Sequence, residues 1–311
     1  MANLILVGAG QIGTRHLQAV ARCGAVGGIR IVEPSAAGRS LAATRWAETN
    51  DPRPVPVCHE VLHDIPSGWA DVAIVATSAA RRRGIVEDLL QLGVRHILIE
   101  KLAFQHPRDY DRVLGRGDGA SIYVNCVYRY ATVLKEIRKR LPCGGRFELR
   151  IDSGDIGMAT NLPHWTDILS YLAGVPVGEM QVTIDGIARE SKRGGGMREF
   201  AGEAVAAAGD GILRAICRGP ARAPIFRIKS DSVDIEIDEH NGSVRGDIPD
   251  LTAIGFTAPM VSQTTTLAIA QMLAGNCALP TLGEVAPTDR TMLRAVARAL
   301  CLDELAEVPI T

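Results

Sequence analysis

The segment that decides the fold is Leu4-Ile5-Leu6-Val7-Gly8-Ala9-Gly10-Gln11-Ile12-Gly13. It joins an apolar run of strand length to a helical pattern through a GxGxxG turn, which is the sequence context that a dinucleotide site requires. In such a turn Gly8 permits the tight bend, Gly10 lets the backbone approach a pyrophosphate, and Gly13 lets the helix pack closely on the strand. We therefore expect Gly8, Gly10, Gln11, Ile12 and Gly13 to form the part of a cofactor site that places the pyrophosphate at the helix N-terminus.

An acidic residue follows at the distance expected for a ribose contact. Glu33 ends the second predicted strand, twenty residues beyond Gly13, where a carboxylate accepts hydrogen bonds from the adenosine ribose hydroxyls. It would also repel a 2′-phosphate, so NAD is favoured over NADP, although Arg39 lies close enough to leave NADP open. The alternative is a glycine turn followed by a solvated acid at a strand end.

Apolar strands alternate with helical patterns through the first part of the chain. Continuous apolar runs are typical of a parallel sheet covered on both faces. The pattern predicts an α/β fold whose N-terminal domain, residues 1–126, is a Rossmann doubly wound parallel sheet. Its predicted strands are Leu4–Val7, Ile29–Val32, Val55–Cys58, Val72–Ala76, Ile97–Ile99 and Ile122–Cys126, with helices at Gln11–Cys23, Ala36–Ala47 and Ala80–Leu92.

The pattern changes after about Arg129 to several short strands flanked by helices. In Val233–Asp238 apolar and acidic residues alternate, which predicts a strand with one wet face. We expect residues 127–311 to form an α+β domain on a mostly antiparallel open sheet that binds substrate and forms a homodimer or homotetramer. Its predicted elements include a basic helix at Ala131–Leu141, a helix at Pro163–Leu172, strands from Met180 to Asp238 and two final helices, Pro259–Ala274 and Gly283–Leu302.

Composition limits the classes of partner. The formal net charge is -1, and 47% of residues are hydrophobic, so neither nucleic acid nor anionic lipid is an expected partner. The apolar runs are too short to cross a membrane, and the first predicted strand begins near Met1, so we expect no signal peptide. Seven scattered cysteines without a CxxC pair indicate reduced thiols. Together these features predict a cytoplasmic protein.

One short motif matches a zinc-peptidase signature. His59-Glu60-Val61-Leu62-His63 is HExxH, which on a helix presents two histidines to zinc. Pro56 and Pro66 limit any helix here to about two turns, and no third ligand follows. We expect no metal site, and interpret the segment as a surface helix with solvated histidines.

Further motifs carry a family resemblance. Val7–His16, Ala76-Thr77-Ser78, Glu100-Lys101-Leu102-Ala103 and Pro163–Leu172 resemble, in order, the VGxGxxGxxH, ATP, EKP and GxHxxDLL segments of the glucose-fructose oxidoreductase / inositol dehydrogenase / MocA (Gfo/Idh/MocA) family. The resemblance spans the whole chain. A narrower likeness, to members that accompany genes for nonulosonic (sialic-type) acid sugars, lies in Thr160–His164, Lys192-Arg193-Gly194, Ser262–Thr265 and Cys277–Pro280.

The resemblance implies an NAD-dependent oxidoreductase acting on a carbohydrate. Lys101 would place a positive charge beside the developing alkoxide, His164 would exchange the proton at neutral pH, and Asp167 would orient the imidazole or contact substrate hydroxyls. Lys101 and His164 would meet at the cleft between the domains. Cofactor contacts are expected from Thr77, Glu100 and Asn125 beside the glycine turn and Glu33, and substrate contacts from Lys101, Arg129, Asn161, His164 and Asp167.

The chain departs from the family pattern at several positions. Thr160 stands where relatives often carry Asp, four residues before His164, and Leu102 replaces the proline of the EKP motif, so a cis or kinked backbone is not enforced. Arg81-Arg82-Arg83 stands where many relatives carry a histidine. We interpret it as a solvated basic cluster, the alternative being an anion site at a helix N-terminus.

Two other functions stay open on the same residues. The leading hypothesis is hydride transfer between nicotinamide and a hydroxyl or carbonyl carbon of a sugar, sugar acid or nucleotide sugar. The alternatives are a non-catalytic dinucleotide-binding sensor or scaffold, which Thr160 and Leu102 would fit, and a hydrolase or lyase that retains NAD. Lys101 and His164 favour catalysis, because a sensor needs neither.

Overall fold

The computed structural model describes residues 1–116, 119–192 and 194–310. Within them the chain forms two compact units, each drawn from three segments, whereas each predicted domain is one continuous segment. The first unit consists of Met1–Phe104, Asp111–Val127 and Pro259–Leu282, and the second of Gln105–Tyr110, Tyr128–Ala258 and Gly283–Thr311.

The first unit contains a parallel sheet whose described strands number six. They lie in the order β3-β2-β1-β4-β5-β6. After β3 the chain crosses back to place β4 on the other side of β1, as in a doubly wound fold. The predicted α/β class is therefore confirmed. The strands are β1 (Ala2–Val7), β2 (Val26–Val32), β3 (Val57–His59), β4 (Val72–Val75), β5 (His96–Ile99) and β6 (Ser121–Val124).

Burial explains why these runs are strands. All four residues of β4 are at most 1% exposed, as expected for a central strand covered by helices on both faces. The helices of this unit are α1 (Gln11–Val20), α2 (Ala36–Ala47), α3 (Arg82–Gln91) and α8 (Val261–Leu273); α4 (Pro107–Leu114) follows β5. The sequence pattern extended α1 to Cys23 and did not predict α4.

The last helix of this unit comes from far along the chain. α8 packs on α1, where the Thr266 hydroxyl donates to the carbonyl of Ala19 at 2.8 Å. The segment after α8 then reaches the sheet edge, since Val124 N–H donates to Pro280 O at 2.9 Å. These contacts attach Pro259–Leu282 to the first unit.

The HExxH segment is not the surface helix that we expected. β3 ends at His59, whose carbonyl accepts from Glu33 N–H at 2.9 Å, and a 3-10 turn covers Leu62–Asp64. Pairing with β2 thus holds the first histidine in a strand, and only the 3-10 turn separates it from the loop that leads to β4 at Val72. That no metal binds here stays a prediction.

The second unit has a mixed sheet in the order β15-β14-β13-β7-β12-β11-β8. Among these described strands only β7 and β12 pair in parallel, which agrees with the predicted, mostly antiparallel sheet. The strands are β7 (Phe147–Ser153), β8 (Glu179–Ile184), β11 (Gly202–Ala208), β12 (Gly211–Cys217), β13 (Ile225–Lys229), β14 (Asp234–Asp238) and β15 (Ser243–Gly246), with a hairpin of β9 (Arg189–Glu190) and β10 (Arg198–Glu199) beside them.

Helices cover one face of this sheet. The helices of the unit are α5 (Thr132–Arg140), α6 (Met158–Ala173), α7 (Pro249–Ile254) and α9 (Leu282–Ala299). α6 begins five residues before the predicted start at Pro163, and β15 and α7 were not predicted. No helix among the described residues is long and apolar enough to span a membrane.

The other face of the sheet is polar. In β14 Ile235 and Ile237 are buried while the intervening acids are half exposed, which confirms the predicted strand with one wet face. Cross-strand ion pairs line that face, with Arg227 to Glu236 at 2.8 Å and Lys229 to Asp234 at 2.6 Å.

Candidate functional site

The glycine turn between β1 and α1 is held by close backbone contacts. Gly8 has a φ of +90°, and a Cβ built there would lie 3.0 Å from the backbone carbon of Ala76. A Cβ at Gly13 would lie 1.9 Å from Gly8 O, so only glycine lets α1 approach the turn this closely. Both glycines are therefore required by the protein itself.

Gly10 differs from these two glycines. It begins α1 without a side-chain cap, and apart from its chain neighbours no described residue lies within 4 Å of a Cβ built there. Gln11 and Ile12, in the first turn, are exposed. The helix N-terminus is thus open at the point where an anion would be favoured by N–H groups and the helix dipole.

Glu33 connects the end of β2 to the glycine turn. One carboxylate oxygen accepts from Ala9 N–H at 2.7 Å and the other from Ser35 N–H at 2.9 Å, and the residue is 9% exposed. Each oxygen keeps a further lone pair, so the carboxylate can also accept hydroxyl groups. Glu33 is therefore fixed in position beside the turn.

Arg39, the cation that left NADP open, already has several partners. Its guanidinium donates to the carbonyls of Glu33 and Pro34 at 2.9 and 2.8 Å and forms an ion pair with Glu60 at 2.9 Å. These contacts hold the guanidinium against the backbone of the β2 end.

A buried polar network ends β5 and β6. Glu100 Oε1 accepts from Asn125 Nδ2 at 2.6 Å and from His16 Nε2 at 3.0 Å, while His16 Nδ1 lies 2.8 Å from Thr265 Oγ1. The carboxylate has no proton to give, so Nε2 of His16 carries one. Predicted residues Glu100 and Asn125 are thus in contact, joined by His16 and Thr265, which were not predicted as site residues.

The network keeps Glu100 ionised. Burial alone would raise the pKa of Glu100, but the His16 hydrogen bond, the charges of His16 and Lys101 and the Asn125 amide together lower that pKa to about 2. A fixed negative charge therefore precedes Lys101.

Two side-chain oxygens in this unit are buried without a partner among the described residues. They are Oγ1 of Thr77, whose methyl carbon lies 3.0 Å from a Cβ built at Gly8, and Oδ1 of Asn125. A buried acceptor or hydroxyl without a hydrogen bond costs free energy. Both atoms belong to residues expected to contact a cofactor, whose polar groups would satisfy them.

Arg82 supports the loop that carries Lys101. Its guanidinium is buried, 1% exposed, and donates to the carbonyls of Thr77, Glu100 and Leu102, with a further bond to Ala103 O at 3.3 Å. The solvated-cluster interpretation is therefore wrong for Arg82, because these carbonyls replace water around the cation. Arg81 is exposed and Arg83 forms an ion pair with Glu87 at 2.6 Å. The peptide bond between Lys101 and Leu102 is cis.

In the second unit Asp167 binds Arg129. The guanidinium donates to Oδ1 of Asp167 at 2.8 and 3.1 Å, and its carbon lies 5.4 Å from the centre of the Tyr171 ring. Asp167 is 5% exposed, so this ion pair compensates the burial of both charges. The structure thus brings together two residues that we expected to contact substrate.

His164, one turn before Asp167 on α6, contacts an aromatic ring. Its imidazole meets Tyr128 edge-on with ring centres 5.3 Å apart. The Tyr128 hydroxyl donates to Glu239 at 3.0 Å, and burial together with the Glu239 charge raises the Tyr128 pKa, so this phenol stays neutral.

The first turn of α6 is fixed by polar side chains. Asn161 Nδ2 donates to Gly157 O at 2.8 Å, and the Thr160 hydroxyl donates to Glu199 at 2.6 Å. Asn161, predicted to bind substrate, therefore also holds the turn before the helix. Lys101 belongs to the first unit, whereas His164, Asp167, Arg129 and Asn161 belong to the second.

Three of the four residues that the sequence analysis did not assign to the site had a weak signal in the sequence. His16 closes the VGxGxxGxxH segment, and Thr265 lies in one of the segments of the narrower likeness. Arg82 was noticed only as one of three arginines. Glu199 had no signal, since its role depends on a partner 39 residues away.

Comparison with known proteins identifies solved structures that have the same fold. No family model and no curated protein matches the chain. Among solved structures, an oxidoreductase from Agrobacterium radiobacter in complex with NAD+, L-tartaric acid and magnesium is similar over 96% of both chains, with TM-score 0.74 and 12% identity.

Two further structures are similar to the same extent. The WlbA dehydrogenase from Bordetella pertussis in complex with NADH and UDP-GlcNAcA gives TM-score 0.73 and 16% identity over 100% of this chain and 98% of that chain. The UDP-N-acetylglucosamine 3-dehydrogenase GnnA from Acidithiobacillus ferrooxidans gives TM-score 0.71 and 16% identity over 97% and 98%. This chain shares the fold of these dehydrogenases.

One buried acid in the second unit predicts a pH dependence of stability. Asp289 Oδ2 accepts from Tyr110 OH at 2.7 Å, and burial, aided by the charge of Asp167 and opposed by Tyr110, raises the Asp289 pKa from 3.8 to about 7. The folded state therefore holds a proton that the unfolded chain releases above pH 3.8. Between these values Asp289 should cost the folded state roughly 1.4 kcal/mol per pH unit as the pH rises.

Asp289→Asn should remove this dependence, because the amide stays neutral and still accepts from Tyr110. We expect the variant to unfold at higher urea concentration than the wild type at pH 8 and at a similar concentration near pH 4. Asp231→Asn, at an exposed position, is the matched control. Parallel stability curves of Asp289→Asn and wild type from pH 4 to 8 would contradict the prediction.

Proposed function

We propose that the chain is an NAD-dependent oxidoreductase, acting on CH-OH groups, that transfers hydride between nicotinamide and a hydroxyl or carbonyl carbon of a sugar, sugar acid or nucleotide sugar. The observation that carries the proposal is the open α1 N-terminus at Gly10 beside the fixed carboxylate of Glu33. This combination supplies a phosphate site and a ribose site in the order that a dinucleotide needs.

The described residues fit such a cofactor. The glycine turn would hold the pyrophosphate, Glu33 the adenosine ribose, and Thr77 and Asn125 have buried oxygens that its polar groups would satisfy. When bound, nicotinamide supplies the hydride acceptor or donor. NAD is favoured over NADP, because Arg39 is occupied by Glu60 and by backbone carbonyls.

The remaining chemistry is proton transfer and charge stabilisation. As a hydroxyl carbon loses hydride its oxygen must lose a proton, and we propose that His164 exchanges this proton while Lys101 stabilises the negative charge on the oxygen. Arg82 would keep the Lys101 loop in place. Arg129, Asn161 and Asp167 would contact substrate hydroxyls or carboxylates.

The substrate class has support from outside the chain. The WlbA structure holds NADH with UDP-GlcNAcA, and GnnA is a UDP-N-acetylglucosamine 3-dehydrogenase, both with this fold. The resemblance to the Gfo/Idh/MocA family, and within it to members near nonulosonic acid genes, points the same way. We further propose a cytoplasmic homodimer or homotetramer whose copies meet through the polar sheet face.

Gly10→Val tests the phosphate site. The free variant should melt as the wild type, because the protein leaves room for the side chain, but the rise in melting temperature with NAD should be lost. Gly13→Ala is the contrasting change: contact with Gly8 O should destabilise the free protein by roughly 1–3 kcal/mol. If the melting temperature of the wild type does not change with NAD, NADH, NADP or NADPH, the cofactor proposal is contradicted.

Glu33→Ser tests cofactor choice. We expect the wild type to prefer NAD, and the variant to narrow this preference, since the carboxylate that repels a 2′-phosphate is gone. Kd values for NAD and NADP measure the effect, with exposed Glu48→Ser as control. A tenfold wild-type preference for NADP, equal to ~1.4 kcal/mol, would show that Glu33 is not at the ribose.

Lys101→Met and His164→Ala test catalysis. Each should lower kcat by roughly 10²–10⁴ while NAD still raises the melting temperature. The assay is NADH fluorescence over a panel of sugars, sugar acids and nucleotide sugars, with exposed Lys139→Met and His63→Ala as controls. Wild-type rates in both variants would show that Lys101 and His164 do not carry the chemistry. Absence of NADH turnover with every substrate would instead favour the sensor or the enzyme that retains NAD.

A further inference from the structure

The N-terminus of α6 is capped by a residue from another segment. Gly157, which precedes the helix, offers no side chain, and Glu199 in β10 takes the place of a cap. Its Oε1 accepts from Ala159 N–H at 2.6 Å and its Oε2 from Thr160 N–H at 3.2 Å. A negative charge at this end of a helix is favoured by the helix dipole.

The fit around this carboxylate is close. A Cβ at Gly157, whose φ is +90°, would lie 2.5 Å from Oε2 of Glu199, so glycine is needed for the acid to reach the helix. Glu199 is 8% exposed, and Oε1 also accepts from Phe200 N–H at 3.1 Å. Glu199 is thus a buried, fixed charge.

Thr160 connects the Glu199 carboxylate to the next turn of α6. Its hydroxyl donates to Oε2 of Glu199 at 2.6 Å, which uses its only proton and leaves the oxygen as an acceptor. Side chains four residues apart lie on one face of a helix, about 5–6 Å apart at Cβ, so Thr160 and His164 are neighbours on α6.

We propose that Glu199 is a positioning residue for His164: its carboxylate, which the Thr160 hydroxyl links to the His164 face of α6, favours the form of the imidazole that carries the exchanged proton. The inference rests on the proposed function for its catalytic meaning. Its electrostatic part stands on the geometry of the second unit alone.

Other charged groups near this face of α6 also contribute to the electrostatic environment of His164. Asp167, one turn further, is neutralised by Arg129, and Tyr128 against the imidazole is neutral and bonded to Glu239. Arg189, whose partner is Asp155 at 2.7 Å, adds positive charge near Glu199. All of these groups stay unchanged in the variants proposed below.

The test is an NMR titration of the His164 ring protons in the full chain without substrate, with the signal assigned by His164→Gln. Glu199→Gln removes the charge at constant size. Thr160→Val removes only the hydroxyl and leaves the carboxylate on Ala159 N–H, so the helix cap is retained even if Glu199→Gln fails to fold. Thr160→Ser keeps the hydroxyl, and Glu203→Gln, at a half-exposed acid in the same unit, is the matched control.

Glu199→Gln and Thr160→Val should both move the His164 titration midpoint to lower pH, and Thr160→Ser and Glu203→Gln should not. The double variant Glu199→Gln, Thr160→Asp returns a carboxylate to the same helix face and should return the midpoint towards that of the wild type. In turnover assays Thr160→Val should lower kcat by roughly tenfold, less than loss of the base itself, with KM little changed.

An unchanged midpoint in both Glu199→Gln and Thr160→Val overturns the inference, and so does a shift in the first without one in the second. The titration needs no turnover, so the two proposals fail separately. Absent activity with the expected shifts removes the proposed function only, whereas full activity with unmoved midpoints removes only the role of Glu199.

Discussion

The close approach of α1 to the glycine turn is the constraint on which the first unit depends. Because Gly13 has no Cβ, the helix lies against Gly8 O, and its next turn buries His16 completely. From there His16 reaches Glu100 after β5 and Thr265 on α8, and Glu100 reaches Asn125 after β6. The absence of a side chain at Gly13 therefore allows the network that connects the ends of β1, β5 and β6 with α8.

Burying charge is costly, and in each of the two units the chain offsets the cost with specific partners rather than with solvent. Arg82 has backbone carbonyls, Glu100 has the His16 and Asn125 donors, and Asp167 has Arg129. Each of these groups holds a loop or helix that carries a proposed catalytic or substrate-binding residue. The same interactions that compensate desolvation thus fix the geometry around Lys101 and His164.

The parts that the sequence predicted are those with local causes. The glycine turn, Glu33 and the alternation in β14 each follow from spacing within one or two elements, and the structure has the predicted sheets. Arg82 and Glu199 could not be assigned, because their partners depend on strand order and on contacts between distant segments. For the same reason the pattern began α6 at Pro163: proline is favoured in the first turn, and nothing local indicates that Glu199 caps Met158–Ala173.

The helices α1 and α6, which both follow a glycine, illustrate the difference between a local signal and a contact from a distant segment. Gly10 and Gly157 each precede a helix without a side-chain cap of its own. At α6 the chain brings a carboxylate to the exposed N–H groups, so the negative charge favoured by the dipole is already present. At α1 no described residue places a side-chain cap, although Glu33 lies one residue away on Ala9 N–H. An anion at the N-terminus of α1 would be stabilised in the same way as the Glu199 carboxylate at α6. The pyrophosphate of the proposed dinucleotide would supply that anion.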